Sequence, residues 1–312
     1  MDHSRRTLPG VSAPADGPDP DPAPDPDPDP FAGWARRLYR PLEALHIVGY
    51  FAEETTQAYL GIGLTDYGMG YFASRSAAMG PVRPEVTTAT FYVFSAPLVA
   101  AFLPRAWGLA SPEDIVDARL RGIEAALRRG LGDAADSAEV AEAAELAGQA
   151  LVGLETAGRP LAAAHLGLPV PSTPLLALWH AITVLREYRG DGHLAALVLA
   201  GLDPVESLVT AVAGGGPAKF LKSTRGWSPE QWAAGQTRLR ERGLLDDDNS
   251  FTDAGQAVRE TVEHRTDAAA AAPWRRLGEP GCARLLELAR PRSRSIAASG
   301  ILPARLAGPD PS

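Results

Sequence analysis

The sequence predicts a mainly α protein: a helical body, a C-terminal winged-helix-like domain and a disordered acidic N-terminal tail. Three observations lead there. Apolar residues recur at three- and four-residue steps along much of residues 31–300, capping residues punctuate those runs, and residues 9–30 read PGVSAPADGPDPDPAPDPDPDP. A chain of 312 residues with 45% hydrophobic content is long enough for two domains. Composition divides it into a tail at 1–30, a body at 31–213 and a C-terminal domain with terminal helices at 217–300, with Gly214–Gly216 as the break.

In the tail, proline removes backbone donors and aspartates repel one another, so little of it can be buried. Residues 1–30 hold seven aspartates and two arginines, a balance of −5 out of a total of −8, which leaves the rest near −3. A near-neutral body supplies no global field for nucleic acid. The single cysteine, Cys282, excludes an internal disulfide and a cysteine-based zinc site within one chain. In the helical pattern GCARLLELA it reads as a packed thiol. The N-terminus has no apolar signal core, and no stretch approaches the roughly 18 apolar residues of a membrane span. The expected compartment is the cytoplasm, with no membrane partner.

The body opens with RPLEALHIVGYFAEETTQAYLGIG, where Leu42, Leu45, Val48, Phe51 and Ala52 mark an amphipathic helix. A glycine- and aromatic-rich stretch follows, and then PEVTTATFYVFSAPLVAAFLP, one buried helix or two short ones. SPEDIVDARLRGIEAALRRGLG is the clearest helix: Ser111 suits the N-cap, Pro112 the first turn, and arginines sit near the end. Another helix is expected over 137–156. VPSTPLLALWHAITVLREYRGDGHLAALVLAGLD reads as helix, elbow, helix, with Gly190 ending the first and Asp191 capping the second. Helix then continues through VESLVTAVA. The stretches AAMGPVRPEVTTATFYVF and HLGLPVPSTPLLALWHAI share a glycine, a Pro-Val core, a second proline and an apolar run, the pattern of an internal duplication.

In the C-terminal part, Ser228 and Pro229 start a helix, RGLL ends it, and SFTDAGQ opens the next after a short extended return. That order resembles a winged helix of the MarR type, with its R-G-L, wing and L-T-x-x-G pattern. The resemblance implies that the helix before R-G-L enters the major groove while a basic wing grips the backbone. The DNA-binding candidates on that reading are Lys222, Arg225, Arg238 and Arg242. The wing, however, carries Asp246, Asp247 and Asp248, and carboxylates there repel phosphate. DNA is therefore not the favoured partner. Packing on the body or a homodimer, through Trp227, Trp232 and the helix after Thr252, suits the segment better.

Over residues 36–296 the chain is similar to the SalK-like actinobacterial proteins labelled helix-turn-helix. HIVGYFAE at 46–53, GYFASRSAAMG at 70–80, FYVF at 91–94, LREYRGDGHLAAL at 185–197 and the block from RGW at 225 to RGLL carry the resemblance. It implies a common helical body and a C-terminal winged helix, and it carries no reaction.

The densest polar constellation is at the expected elbow. His180 and Glu187 are seven residues apart on one helical face, and Asp191 and His193 crowd the bend. A histidine beside a carboxylate can act as acid or base, so these four are the catalytic candidates. The bland alternative is that they cap and fasten the elbow. His46, Tyr50, Tyr67, Tyr71, Phe91 and Tyr92 are candidates to line an apolar pocket, with plain core packing as the competing reading. His46, His180 and His193 would share a metal or haem only if the fold gathered them; no metal site and no particular cofactor is expected. Gly68-x-Gly70-x-x-Ala73 imitates a dinucleotide fingerprint without the βαβ unit that gives it meaning. Walker, G-x-S-x-G and paired-cysteine motifs are absent from the sequence. The expected function is small-molecule binding, extending to catalysis by the His/Glu/Asp groups of the body; the alternative is a MarR-like, ligand-responsive regulator.

Overall fold

The structure, a computed structural model, describes residues 29–303. The expected acidic tail lies outside the described residues except for Asp29 and Pro30. Among the described residues the fold is helical, and one isolated antiparallel bridge, Leu245 with Phe251, is the extended pairing.

In chain order the first helices are α1 (Pro30–His46), α2 (Val48–Phe51), α3 (Glu53–Leu60) and α4 (Tyr67–Ser76). Next come α5 (Pro84–Phe91), α6 (Ala96–Ala100), α7 (Leu103–Ala106) and α8 (Pro112–Leu131). They are followed by α9 (Ala138–Leu151), α10 (Pro160–Leu166), α11 (Pro174–Leu199) and α12 (Pro204–Ala213). The last are α13 (Ala218–Thr224), α14 (Pro229–Glu241), α15 (Asp253–Ala269) and α16 (Ala272–Ala298), the last kinked at Gly278.

Several starts follow the capping chemistry of the sequence. Ser111 and Asp114 form a reciprocal capping box on α8, and Ser228 and Gln231 form one on α14. Two expectations are corrected. The first amphipathic run is not one helix: it breaks at Ile47 and at the extended Ala52. The breaks redirect α3 across α8, where Gly122 lies so close that a Cβ would sit 2.6 Å from Thr55 Cα. The expected elbow at Gly190–Asp191 is also absent. α11 runs unbroken for 26 residues through Gly190 and Gly192. Gly192 instead permits close packing, since a Cβ there would meet Ala269 and an Arg159 nitrogen, each at 2.9 Å. The apolar run after Pro84 resolves into short helices, and the helix expected over 137–156 ends at Leu151. Both duplicated stretches start helices at a proline, of 8 and 26 residues respectively.

Three apolar clusters fill the interior. One joins α1, α8, α9, the first half of α11 and α16. A second joins α3–α8 and is rich in aromatic rings. The third joins the end of α11, α12, α14, Leu244, Leu245 and α15, so it spans the triple glycine. α11 contributes to the first and the third, and its polar middle lies between them.

Candidate functional site

Glu187, in the middle of α11, is almost fully buried. Arg75 Nη2 from α4 donates to both its oxygens at 3.3 Å, and Arg186 Nη1 donates to both at 3.0 Å. Burial alone would raise this carboxyl, but Arg186 and Arg75 hold it well below the usual carboxylate range. Arg186 also donates to Glu43 of α1 at 3.3 Å. Arg75 donates to the Tyr71 hydroxyl at 3.1 Å and stacks over Phe91 at 4.1 Å.

Aromatic and histidine side chains wrap this centre. Tyr50 meets Tyr71 at 5.2 Å and His46 edge-on at 5.3 Å, and His46 stacks on Trp179 at 5.5 Å. His46 is fully buried, neither ring nitrogen has a hydrogen-bond partner, and burial lowers its pKa well below the ordinary value. The Tyr50 hydroxyl is also buried without a partner, and burial pushes it up to about 12. Arg119, nearly fully buried on α8, donates to Ser74 O at 3.3 Å and lies 4.6 Å over Trp179, leaving Nη2 without a partner. Outward from these groups opens a cleft of about 330 Å³, counted with the space open to solvent. Gly49, Tyr50, Thr55 and Thr56 line one part of it; Tyr59, Leu60, Leu64, Asp66, Tyr67 and Tyr71 line the rest. The glycines of α4 serve packing: a Cβ at Gly68 would strike the Phe102 ring and one at Gly70 the Tyr59 ring.

Near the cleft, the C-terminal segment meets the body at a strap running from Arg225 to Trp227. Ser95 N–H donates to Arg225 O at 2.9 Å, and Trp227 Nε1 donates to Val93 O at 2.9 Å. The receiving loop turns at Tyr92, whose φ of 61° and ψ of −62° sit under a Val93 N–H to Phe91 O bond of 2.7 Å. This is a γ-turn of the rare, strained kind. The Tyr92 hydroxyl donates to Leu202 O at 2.5 Å, which ties the same loop to the start of α12.

With that geometry in place, comparison with known families is informative: the description Helix-turn-helix family matches residues 35–303. The chain belongs to that family. No match was found among curated proteins or among solved structures. The match spans body and C-terminal segment together, so the helix-turn-helix label covers the buried charge centre as well as α13–α15.

In this helix-turn-helix protein the four residues of the expected elbow do not face one another. Glu187 takes Arg75 and Arg186. Asp191 accepts from Ala162 N–H of α10 at 3.0 Å, so it caps a neighbouring helix rather than its own. Burial raises Asp191 to about 6. His193 faces α15, where Nδ1 lies 2.9 Å from Thr266 Oγ1, and burial lowers it to about 4. His180 is buried, and burial with nearby Arg119 lowers its pKa. Of the pocket candidates, Tyr50, Tyr67 and Tyr71 line the cleft, His46 and Phe91 pack behind it, and Tyr92 turns away toward Leu202. No group of three or more His, Cys, Asp or Glu is placed to hold a metal ion among the described residues.

The cations of the C-terminal segment are also engaged. Arg238 pairs with Asp203 and with Glu206, and Arg242 pairs with Glu206 at 3.0 Å and donates to Gly201 O and Ala200 O. Arg225 turns inward onto Phe94 and Phe220. Lys222 lies 5.1 Å over the Trp232 ring. Residues that the sequence reading missed are Arg75, Arg119 and Glu43. Arg75 carries a signal, a lone charged group inside a run of small and apolar residues in YFASRSAAMG; Arg119 and Glu43 lie among other charges and carry none.

Proposed function

We propose that this helix-turn-helix protein binds a small molecule in the cleft between α2–α3 and α4, and that the C-terminal segment reports on that cleft rather than gripping DNA by itself. The observation that carries the reading is the cleft wall. Tyr50, Tyr59, Tyr67 and Tyr71 converge there, with the Tyr50 hydroxyl buried and unpartnered behind it. Buried polar atoms are ordinarily satisfied, and one left open beside a cleft fits a ligand that completes it. Binding is favoured over catalysis. Glu187 is fixed by two guanidiniums, and Asp191 and His193 bond to different helices, so no acid–base pair is poised at the cleft.

α14, the turn closed by Leu245 and Phe251, and α15 support a winged-helix reading in which the wing is a single bridge. Gly255 suits that reading: a Cβ there would lie 1.9 Å from Leu244 O, so the glycine of FTDAG lets α15 start against the bridge. A homodimer through Trp227 and Trp232 is not proposed, because Trp227 bonds the body and Trp232 is buried in the third cluster. The regulator reading rests on the family match. Thermal-shift screening of the full chain against small apolar and aromatic compounds tests the cleft. A hit should be lost when Tyr71→Ala opens the wall; a screen in which every compound leaves wild type unmoved overturns the reading. Gel shifts with promoter fragments then separate sensor from binder. Sequence-specific binding that survives salt of about 150 mM promotes the regulator, since weak phosphate contacts alone do not persist there.

A further inference from the structure

The second half of α16 carries Arg290, Arg292 and Arg294, and the middle one is out of place. Arg290 and Arg294 are exposed, as charged residues usually are, whereas the Arg292 side chain is 11% exposed. α16 presses on α8 at this point: a Cβ at Gly130 would lie 2.5 Å from Ile296 Cδ1. Arg292 stands one turn before Ile296 on the same face, so the close approach carries it inward as well.

The guanidinium is held but not satisfied. Nη1 donates to Leu288 O at 2.9 Å and Nη2 to Ser137 Oγ at 3.2 Å. Glu139 lies 3.7 Å from Nη2, beyond hydrogen-bond reach, and its side chain is more than half exposed. Nε is buried with no partner. An arginine that merely lent its stem to an apolar surface would keep its head in water.

Arg292 borders a cavity of about 260 Å³, counted with the space open to solvent, whose other walls come from α1, α8, α9 and α11. Every other lining residue is apolar, among them Leu127, Leu131, Val140 and Leu178, with Trp179 as the one aromatic ring. The polar atom of that ring is used elsewhere, since Trp179 Nε1 donates to His46 O at 3.4 Å. Ser137 is the N-cap of α9, so the positive end of that helix dipole lies beside Arg292. The cavity shares no lining residue with the tyrosine cleft and stands independently of it.

We infer that this cavity takes a short aliphatic carboxylic acid, its chain among the leucines and Trp179 and its carboxylate on Arg292. Apolar walls suit a hydrocarbon, and an incompletely answered guanidinium at their border suits one planar anionic head. The volume lies below the roughly 300 Å³ at which drug-sized ligands begin, so the chain is short.

Titration calorimetry of the full chain tests this with acetate, hexanoate and octanoate, and with hexanamide as the uncharged counterpart of hexanoate. Affinity should rise from acetate to octanoate by about fourfold for each methylene that the walls cover. Hexanoate should bind at least about tenfold tighter than hexanamide. Arg292→Met, which keeps the stem and removes the charge, should lose that margin, and Arg292→Lys should recover part of it. Binding should shift tryptophan fluorescence in wild type and leave it unmoved in Trp179→Phe. Acetate binding as tightly as octanoate would reduce the contact to a surface ion pair and overturn the apolar seat. Equal binding of hexanoate and hexanamide, unchanged in Arg292→Met, would overturn the acid. A fluorescence shift that persists in Trp179→Phe would place the ligand elsewhere and overturn the site. The absence of heat from every probe on wild type would do the same and leave Arg292 as a clamp between α16 and α9. Should Arg292→Met fail to fold, the margin between hexanoate and hexanamide on wild type and on Arg292→Lys decides the same question. None of these outcomes bears on the tyrosine cleft.

Discussion

Two glutamates in this molecule each hold two arginines, and their surroundings make them different devices. Glu187 sits at the centre of the body with Arg75 and Arg186, whose side chains are 8% and 22% exposed. Glu206 of α12 sits under the C-terminal segment with Arg238 and Arg242, whose side chains are 43% and 37% exposed. At Glu187 each arginine donates one nitrogen to both oxygens, whereas at Glu206 Arg238 takes Oε1 and Arg242 takes Oε2, each at 3.0 Å. In the first trio Arg75 and Glu187 have almost no water to fall back on, and Arg186 has Glu43 as its other carboxylate. In the second the arginines can return to solvent, so the carboxylate mainly decides where they point. The same chemistry therefore fixes a core in one place and sequesters surface cations in the other.

The contrast is broken most directly at Glu187. Glu187→Ala strands the buried Arg75 guanidinium and leaves Arg186 to Glu43, and it should lower stability by about 3–5 kcal/mol, read from denaturant unfolding. A loss comparable to that of an exposed pair would show that water reaches the centre.

A smaller effect is expected from the next turn of α11. Asp191 has a folded pKa near 6 against an ordinary 3.8, so its carboxylate form costs stability above about pH 6, and protonation relieves that cost as pH falls toward 4. The buried histidines act the other way. With folded pKa values near 4 for His193 and near 3 for His165, their contribution is full above about 6.5 and is lost as pH falls below it. With His46 and His180 lowered as well, the histidines outweigh the one raised carboxyl, so wild type should lose stability clearly between pH 6.5 and 4, and Asp191→Asn, which can still accept from Ala162, should lose it more steeply still below pH 6. Melting curves across that range decide, and parallel profiles would remove Asp191 from the account.

At Glu206 the stability change should be about 1–2 kcal/mol for Glu206→Gln, since glutamine can keep the capping box with Asp203 while the ion pairs go. Its sharper readout is duplex binding, which should rise modestly as one negative charge is removed beside Arg238 and Arg242, with Arg238 still held by Asp203 and Arg242 by the carbonyls of Gly201 and Ala200. The smallest change in stability should come from Asp247→Arg with Asp248→Arg at the turn. Asp246 is left in place because it accepts from Asp248 N–H and Ser250 N–H and shapes the loop. This pair should leave melting unchanged and steepen the salt dependence of non-specific DNA binding by about two ions.

Much of the fold was legible in the sequence because capping is local. Ser111, Ser228 and Thr252 each begin a helix for reasons visible within four residues. The elbow misled because Gly190-Asp191-Gly192 carries a helix-stop signature that local rules cannot distinguish from a packing requirement. Ala269 and Arg159, distant in sequence, supply the requirement. The tyrosines of the cleft were visible as an aromatic cluster. The charges behind them were not: Arg75 meets Glu187 across 112 positions, and no spacing rule reaches that far. Arg225 was read as a DNA contact because its sequence neighbourhood is basic, whereas its neighbours in space are rings.

The unbroken α11 has a mechanical consequence. At about 1.5 Å per residue it is a rod of roughly 39 Å, with Glu187 at its middle and Ala196 and Leu197 wedged among Trp232 and Leu239 at its end. A bend at Gly190 would have absorbed small displacements. A straight rod passes them on, so a tilt imposed where Arg75 grips Glu187 arrives beneath α14 as a sideways push, with leverage set by helix length.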